Sequence, residues 1–184
     1  ERKTRYMNLG LEGEQADIFV EDREKGNWLD QLIKLSVINL QPSESKGLLK
    51  ECVKWIVGDI SFQLEKMNIK ISDSPISQED LIKLMELMRN NEISGTIAKD
   101  VVGQSFETRK NVLEIIKENN LIQISDSSEV EGYAKQAIDE NQKVVADIAK
   151  NPNAIKFLVG QVMRLSKGKV NPKVAEEELR KILK

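Results

Sequence analysis

The chain has 184 residues, 40% of them hydrophobic but only 4% aromatic, with 28 Lys and Arg against 30 Asp and Glu for a formal charge of −2. That composition excludes default disorder and allows one large domain or two small ones, with Leu, Ile, Val and Met filling the core, a palette suited to packed helices. The chain has no histidine, which removes Ser-His-Asp and Cys-His nucleophiles and most zinc sites, and one cysteine, which excludes an intrachain disulfide or a thiolate cluster.

Helical spacing dominates, and no run of strict alternation is long enough to build a sheet, so the expected class is all-α. Arg2-Lys3-Thr4-Arg5-Tyr6-Met7 reads as a solvated extended lead-in, with a share in an RNA-contacting surface as the alternative. Helices are expected over 14–23 and 28–40, with Gln41-Pro42-Ser43 as a breaker. A third helix over 48–67 buries Leu49, Val53, Ile56, Ile60 and Leu64, with Gly58 as a close-contact point. Trp28 and Trp55 read as core anchors and Cys52 as a small buried hydrophobe.

Ser72-Asp73-Ser74-Pro75 is the clearest linker. Ser77-Gln78-Glu79-Asp80 resembles a capping box opening a helix that buries Leu81, Leu84, Met85 and Met88, and Asn90-Asn91 stops it. The next helix follows Ile93-Ser94-Gly95-Thr96, with Gly103 as its expected terminator; another begins at Thr108, turns Val112, Leu113, Ile115 and Ile116 inward, and ends at Asn119-Asn120. Asp126 caps a helix reaching about Glu140, with Glu129 placed to answer it. Helix pieces continue to Lys150. Asn151-Pro152 and Asn171-Pro172 then form matched helix starts, with Asn as cap and Pro at the first helical position. The domain division expected from this reading is 1–121 and 122–184, with the Ser72–Pro75 linker as a rival boundary.

Charge is unevenly spread. From Lys150 onward the chain carries +6, the residues before it carry −8, and no acid stands between Lys150 and Lys173. On a helix through this stretch Ile155, Leu158, Val159 and Val162 share one side, while Lys156, Gly160, Arg164 and Lys167 gather on another. A glycine there costs roughly 1 kcal/mol of helix propensity, which points to a surface something approaches closely. Lys156, Arg164, Lys167 and Lys169 supply long cations and Gly160 and Gly168 close backbone approach, so a polyanion is the expected partner. Phe157 is expected nearer the apolar side, so this face should read the shape and backbone of a structured RNA and not stack an unpaired base. The competing readings are that Gly160 permits helix packing, Gly168 ends a helix and the lysines are only solvated, or that the hairpin docks an acidic protein.

No catalytic constellation is apparent. Gly160 to Gly168 has the wrong spacing for a phosphate loop, and Lys169 is followed by Val170. Glu176-Glu177-Glu178 read as a solvated face. No signal peptide, lipidation motif or apolar run of membrane length is present.

Phe157-Leu158-Val159-Gly160-Gln161-Val162-Met163, Lys167-Gly168-Lys169 and Asn171-Pro172 together resemble the YqeY-like tail of GatB, the B subunit of the tRNA-dependent amidotransferase. Ile93-Ser94-Gly95-Thr96-Ile97-Ala98-Lys99, Leu121-Ile122-Gln123-Ile124-Ser125-Asp126 and Arg5-Tyr6-Met7 with Gly10-Leu11 agree with it in order. Thr96 stands where the family commonly has Lys, and Leu165-Ser166 replaces a usual Ala-Thr. The resemblance implies an all-α, multi-helical domain followed by a small helical tail, without the catalytic cradle. It implies a cytoplasmic ligase that converts Glu-tRNA(Gln), and often Asp-tRNA(Asn), to the amidated product, with tRNA(Gln) or tRNA(Asn) and the A and C subunits as partners and no membrane. ATP and Mg²⁺ would serve the full-length GatB, with no cofactor in this portion. Carried over by motif, Lys156, Gly160, Arg164, Lys167, Gly168 and Lys169 become the RNA-contact residues, with no catalytic and no metal-binding residue among them.

Overall fold

A computed structural model describes residues 1–37, 42–124, 126–148 and 151–183, and over these the chain is all-α. It packs into two compact units, Glu1–Glu86 with Ala98–Asn119, and Leu87–Ile97 with Asn120–Lys184.

The first unit begins with helix, not the extended lead-in expected. Helix α1 (Arg2–Asn8) forms because Tyr6 is fully buried, its ring edge-on to Phe19 at 6.3 Å. Helices α2 (Gly13–Glu21) and α3 (Arg23–Val37) are separate as expected, but the break falls at Asp22 and not after Arg23, because Asp22 adopts an extended backbone and its Oδ1 accepts from the Lys25 N–H at 3.0 Å. Gly26 is required here: a Cβ would lie 2.2 Å from the Phe19 carbonyl oxygen. Helix α4 (Pro42–Trp55) starts earlier than expected, with Pro at its first position where no N–H is missed. The expected end of the preceding helix at Leu40, and Gln41 of the breaker, lie outside the described residues.

Helix α4 runs through one wide turn of π geometry, Ile56–Ile60, into α5 (Ser61–Met67). Leu49, Val53, Ile56, Ile60 and Leu64 are all buried, as the spacing predicts, and so are Trp28, Cys52 and Trp55. Gly58 is not a close-contact point: it is exposed, and a Cβ there would meet nothing within 4 Å. Residues 72–75 lie inside the first unit and bound no domain.

Helix α6 (Gln78–Arg89) opens with the expected box, the Ser77 N–H donating to Asp80 Oδ2 at 3.2 Å and the Asp80 N–H to Ser77 Oγ at 3.1 Å. Helix α7 (Gly95–Thr108) passes through Gly103. Its reversal comes instead at Arg109, held in a left-handed conformation (φ 60°) with its guanidinium donating to the Asp73 carbonyl at 2.8 Å. Helix α8 (Val112–Glu118) therefore starts after Asn111, whose side chain accepts from the Leu113 N–H at 2.8 Å, and not at Thr108. Val112, Ile115 and Ile116 face inward but Leu113 is 38% exposed.

In the second unit, α9 (Ser127–Glu140), α11 (Ile155–Leu165) and α12 (Pro172–Ile182) pack on one another, with α10 (Gln142–Ile148) beside them. Small residues on α9, Ala134 and Ala137, meet Ile155, Leu158, Val162, Val174 and Leu179 in an aliphatic core. Asp126 accepts from the Ser128 and Glu129 N–H groups as expected of a cap. Both Asn-Pro starts hold: Asn151 accepts from the Asn153 N–H at 3.1 Å, ahead of one 3₁₀ turn into α11, and Asn171 from the Lys173 N–H at 3.0 Å. Residues 149 and 150, the expected end of the preceding helix, lie outside the described residues.

Candidate nucleic-acid interface

Helix α11 sorts its residues by rotation. Ile155, Leu158 and Val162 are buried and Val159 packs against the core, while Lys156, Gly160 and Arg164, four residues apart, form an exposed stripe about 12 Å long. The helix ends at Leu165, so Lys167 does not continue that stripe as the spacing suggested. Lys167 (φ 53°) and Gly168 (φ 76°) are both left-handed, and the Gly168 N–H donates back to the Met163 carbonyl at 2.8 Å. A glycine at the second of these positions avoids the Cβ cost of that backbone. Lys167, Gly168 and Lys169 are exposed on the resulting elbow.

The elbow is braced from beneath. The Ile124 N–H donates to the Lys169 carbonyl at 2.6 Å and the Asn171 N–H to the Ile124 carbonyl at 3.1 Å, a single parallel bridge. Buried Asn171 does double service: besides capping α12, its amide donates to the Asn91 carbonyl and to Gln123 Oε1, each at 3.1 Å. The 121–124 segment and the turn after α6 thus fix the backbone that carries Lys167 and Lys169.

Six residues were expected at the interface, and the structure puts all of them on the surface of the second unit. Lys156, Lys167 and Lys169 face no carboxylate within ion-pair distance among the described residues; Arg164 lies 3.2 Å from Glu140 across α9 and 2.9 Å from Gln161. A Cβ at Gly160 would meet nothing within 4 Å, so this glycine does not serve internal helix packing. Two surface residues were missed. Lys173 is exposed on the first turn of α12 and has no ion-pair partner among the described residues; the acid-free stretch that contains it was its signal. Phe157 was expected near the apolar side; it is 48% exposed, about 60° around the helix from Gly160 and 20° from Arg164. The helical register puts it there: Phe157 lies about 100° around the helix from Leu158 and about 140° from Val162, which form the core side.

Glu178 also departs from expectation. It is 7% exposed and not part of a solvated face, with Lys181 Nζ 2.8 Å away.

Elsewhere, Ser72 Oγ is 3.4 Å from Glu24, itself 2.6 Å from Lys70 Nζ, a serine, carboxylate and ammonium in sequence. The hydrogen bond to Glu24 holds the exposed Lys70 ammonium protonated, above its ordinary value, so it is no general base for Ser72. Among the described residues no three His, Cys, Asp or Glu side chains group to hold a metal ion. The Mg²⁺ implied by resemblance finds no ligand set among them, and no reaction step is assigned to these residues. No helix among the described residues is long and apolar enough to cross a membrane.

Fold and surface together define a class: an all-helical chain whose second unit displays exposed cations on one helix and the turn that follows it, three of them, Lys156, Lys167 and Lys169, without a carboxylate partner among the described residues. Residues 42–183 match the GatB domain family, and the chain belongs to that family. It is 34% identical over its whole length to an aspartyl/glutamyl-tRNA(Asn/Gln) amidotransferase B subunit of Clostridium acetobutylicum, the one numbered 2, and covers 37% of that protein. It is 32% identical over 96% of its length to the B subunit of Fusobacterium nucleatum, covering 36% of it, and 40% identical over 70% of its length to that of Caldanaerobacter subterraneus, covering 27%. The chain thus matches between about a quarter and little more than a third of the length of these relatives.

Proposed function

We propose that this chain is a tRNA-binding portion of an amidotransferase GatB. The whole protein, working with the A and C subunits in the cytoplasm, uses glutamine, ATP and Mg²⁺ to convert Glu-tRNA(Gln), and Asp-tRNA(Asn), to the amidated product. In this reading residues 122–184 form a tail that grips the tRNA framework, residues 1–121 form the helical domain ahead of it, and the chemistry happens elsewhere in the larger protein. The observation that carries the proposal is the set Lys156, Lys167 and Lys169, exposed on the helix and elbow of one unit and without a carboxylate partner among the described residues. Unpaired cations keep their full charge for phosphates, whereas paired ones must first give up a partner. The names of the relatives supply the kind of polyanion.

A gel shift on tRNA(Gln), tRNA(Asn) and an unrelated tRNA tests it. Lys156→Glu, Arg164→Glu and Lys167→Glu combined should abolish binding while circular dichroism stays helical. Unchanged affinity in low salt, or a partner that remains bound after nuclease treatment, contradicts the proposal.

A further inference from the structure

We propose that Phe157 stacks an unpaired base of the bound RNA, with the bare backbone at Gly160 admitting the nucleotide and the neighbouring cation Lys156, unpaired among the described residues, meeting its phosphate. This inference rests on the tRNA reading above and specifies how that surface holds its ligand.

An exposed aromatic by itself means little, since folded surfaces carry many apolar atoms. Three features set this one apart. The core beneath α11 is complete without the ring, built from Ile155, Leu158 and Val162 with α9 and α12. The residue one turn further along is Gly160, with open space where a side chain would stand. Lys156, exposed and without a carboxylate partner among the described residues, stands next to the ring in sequence, so an anionic ligand drawn to it is brought to the ring face. Every base presents a π face, so stacking of this kind tolerates sequence, as suits a surface that meets bases in the loops of a folded RNA. Phe62 of the first unit is more exposed, at 63%, but Lys66 one turn on is paired with Glu107, which cancels its pull on an anion.

The test measures binding of the whole chain to unfractionated bacterial tRNA and to a blunt RNA duplex that offers no unpaired base. Phe157→Ala and Phe157→Leu should each weaken tRNA binding roughly 5- to 150-fold. They should leave the duplex affinity and the salt dependence unchanged, because no phosphate contact is lost. Phe157→Tyr, which keeps the ring face, should bind as the parent does. Circular dichroism confirms that the variants remain folded. If Phe157→Leu binds tRNA like the parent while Lys156→Glu weakens it, stacking is overturned and the tRNA reading stands. Equal losses on tRNA and duplex also overturn stacking. A parent chain that binds neither RNA removes the tRNA reading itself, and stacking with it.

Discussion

In the first unit Lys66 meets Glu107, Lys70 meets Glu24, Lys99 meets Asp59, Lys110 meets Glu118, and Arg2 and Arg5 share Asp30. In the second, Lys156, Lys167, Lys169 and Lys173 stand without a carboxylate partner among the described residues, and of the cations from 156 to 173 only Arg164 has one. A net charge of −2 conceals this difference. Exposed ion pairs stabilise a fold by only about 0–1 kcal/mol each, so this pairing adds little stability but cancels the pull of these six cations on anions. What a surface attracts is decided by which charges are left over locally, more than by their sum.

The largest effect that would break this comparison is charge reversal. Lys156→Glu, Lys167→Glu and Lys169→Glu together should lower tRNA affinity at least about 100-fold at low salt and flatten the salt slope by about 3. The matched triple Lys66→Glu, Lys99→Glu and Lys110→Glu in the first unit should change it less than about 3-fold, by the same counterion argument. Equal losses would mean that the paired cations bind as well as the unpaired ones.

Asn171→Ala comes next. It removes a helix cap and takes the Asn171 donor from the Gln123 side-chain Oε1 and the Asn91 backbone carbonyl, so urea unfolding should show a loss of about 1–3 kcal/mol. Because those bonds brace the elbow, RNA affinity should fall as well, although Asn171 is buried and contacts no ligand.

Gly160→Ala sharpens the comparison further. With nothing within 4 Å of the added methyl, the helix should gain up to about 1 kcal/mol of stability, seen as a higher Tm. Binding of tRNA should weaken because the open approach is narrowed. The same change at exposed Gly58 should leave RNA binding untouched.

The smallest effect is acid sensitivity. Burial pushes the Asp30 carboxyl up, but hydrogen bonds from Arg2, Tyr6 and Arg5 outweigh it and hold the group below its ordinary value. A carboxyl lowered on folding contributes stability that is present above its unfolded pKa of about 3.9 and is lost as pH falls through the folded value. Acid unfolding followed by circular dichroism should therefore show a shallower low-pH limb for Asp30→Asn, at the expense of stability near neutrality.

Legibility followed locality. Stripes such as Leu49 to Leu64 and caps such as Ser77, Asp126 and Asn171 were readable because their partners lie within a few residues. The reversal at Arg109 was not, since Gly103 offers the familiar stop signal and the bond to the Asp73 carbonyl spans 36 residues. Helix α1 was missed because a run of cations reads as solvated until Asp30, far along the chain, collects Arg2, Arg5 and the Tyr6 hydroxyl. At the candidate interface, the cations and glycines were legible from spacing and from the missing acids. Phe157 and buried Glu178 were misread although spacing holds the answer: Phe157 lies about 20° from Arg164, away from the core stripe, and Glu178 stands one turn from both Val174 and Ile182 on the apolar face of α12.

The most direct measurement is the dependence of tRNA affinity on salt for the unaltered chain. Neutralising about four phosphates gives a slope of log affinity against log salt of about −3 to −4. A slope near zero, with the chain folded, would contradict the claim that unpaired lysines of the second unit hold the RNA.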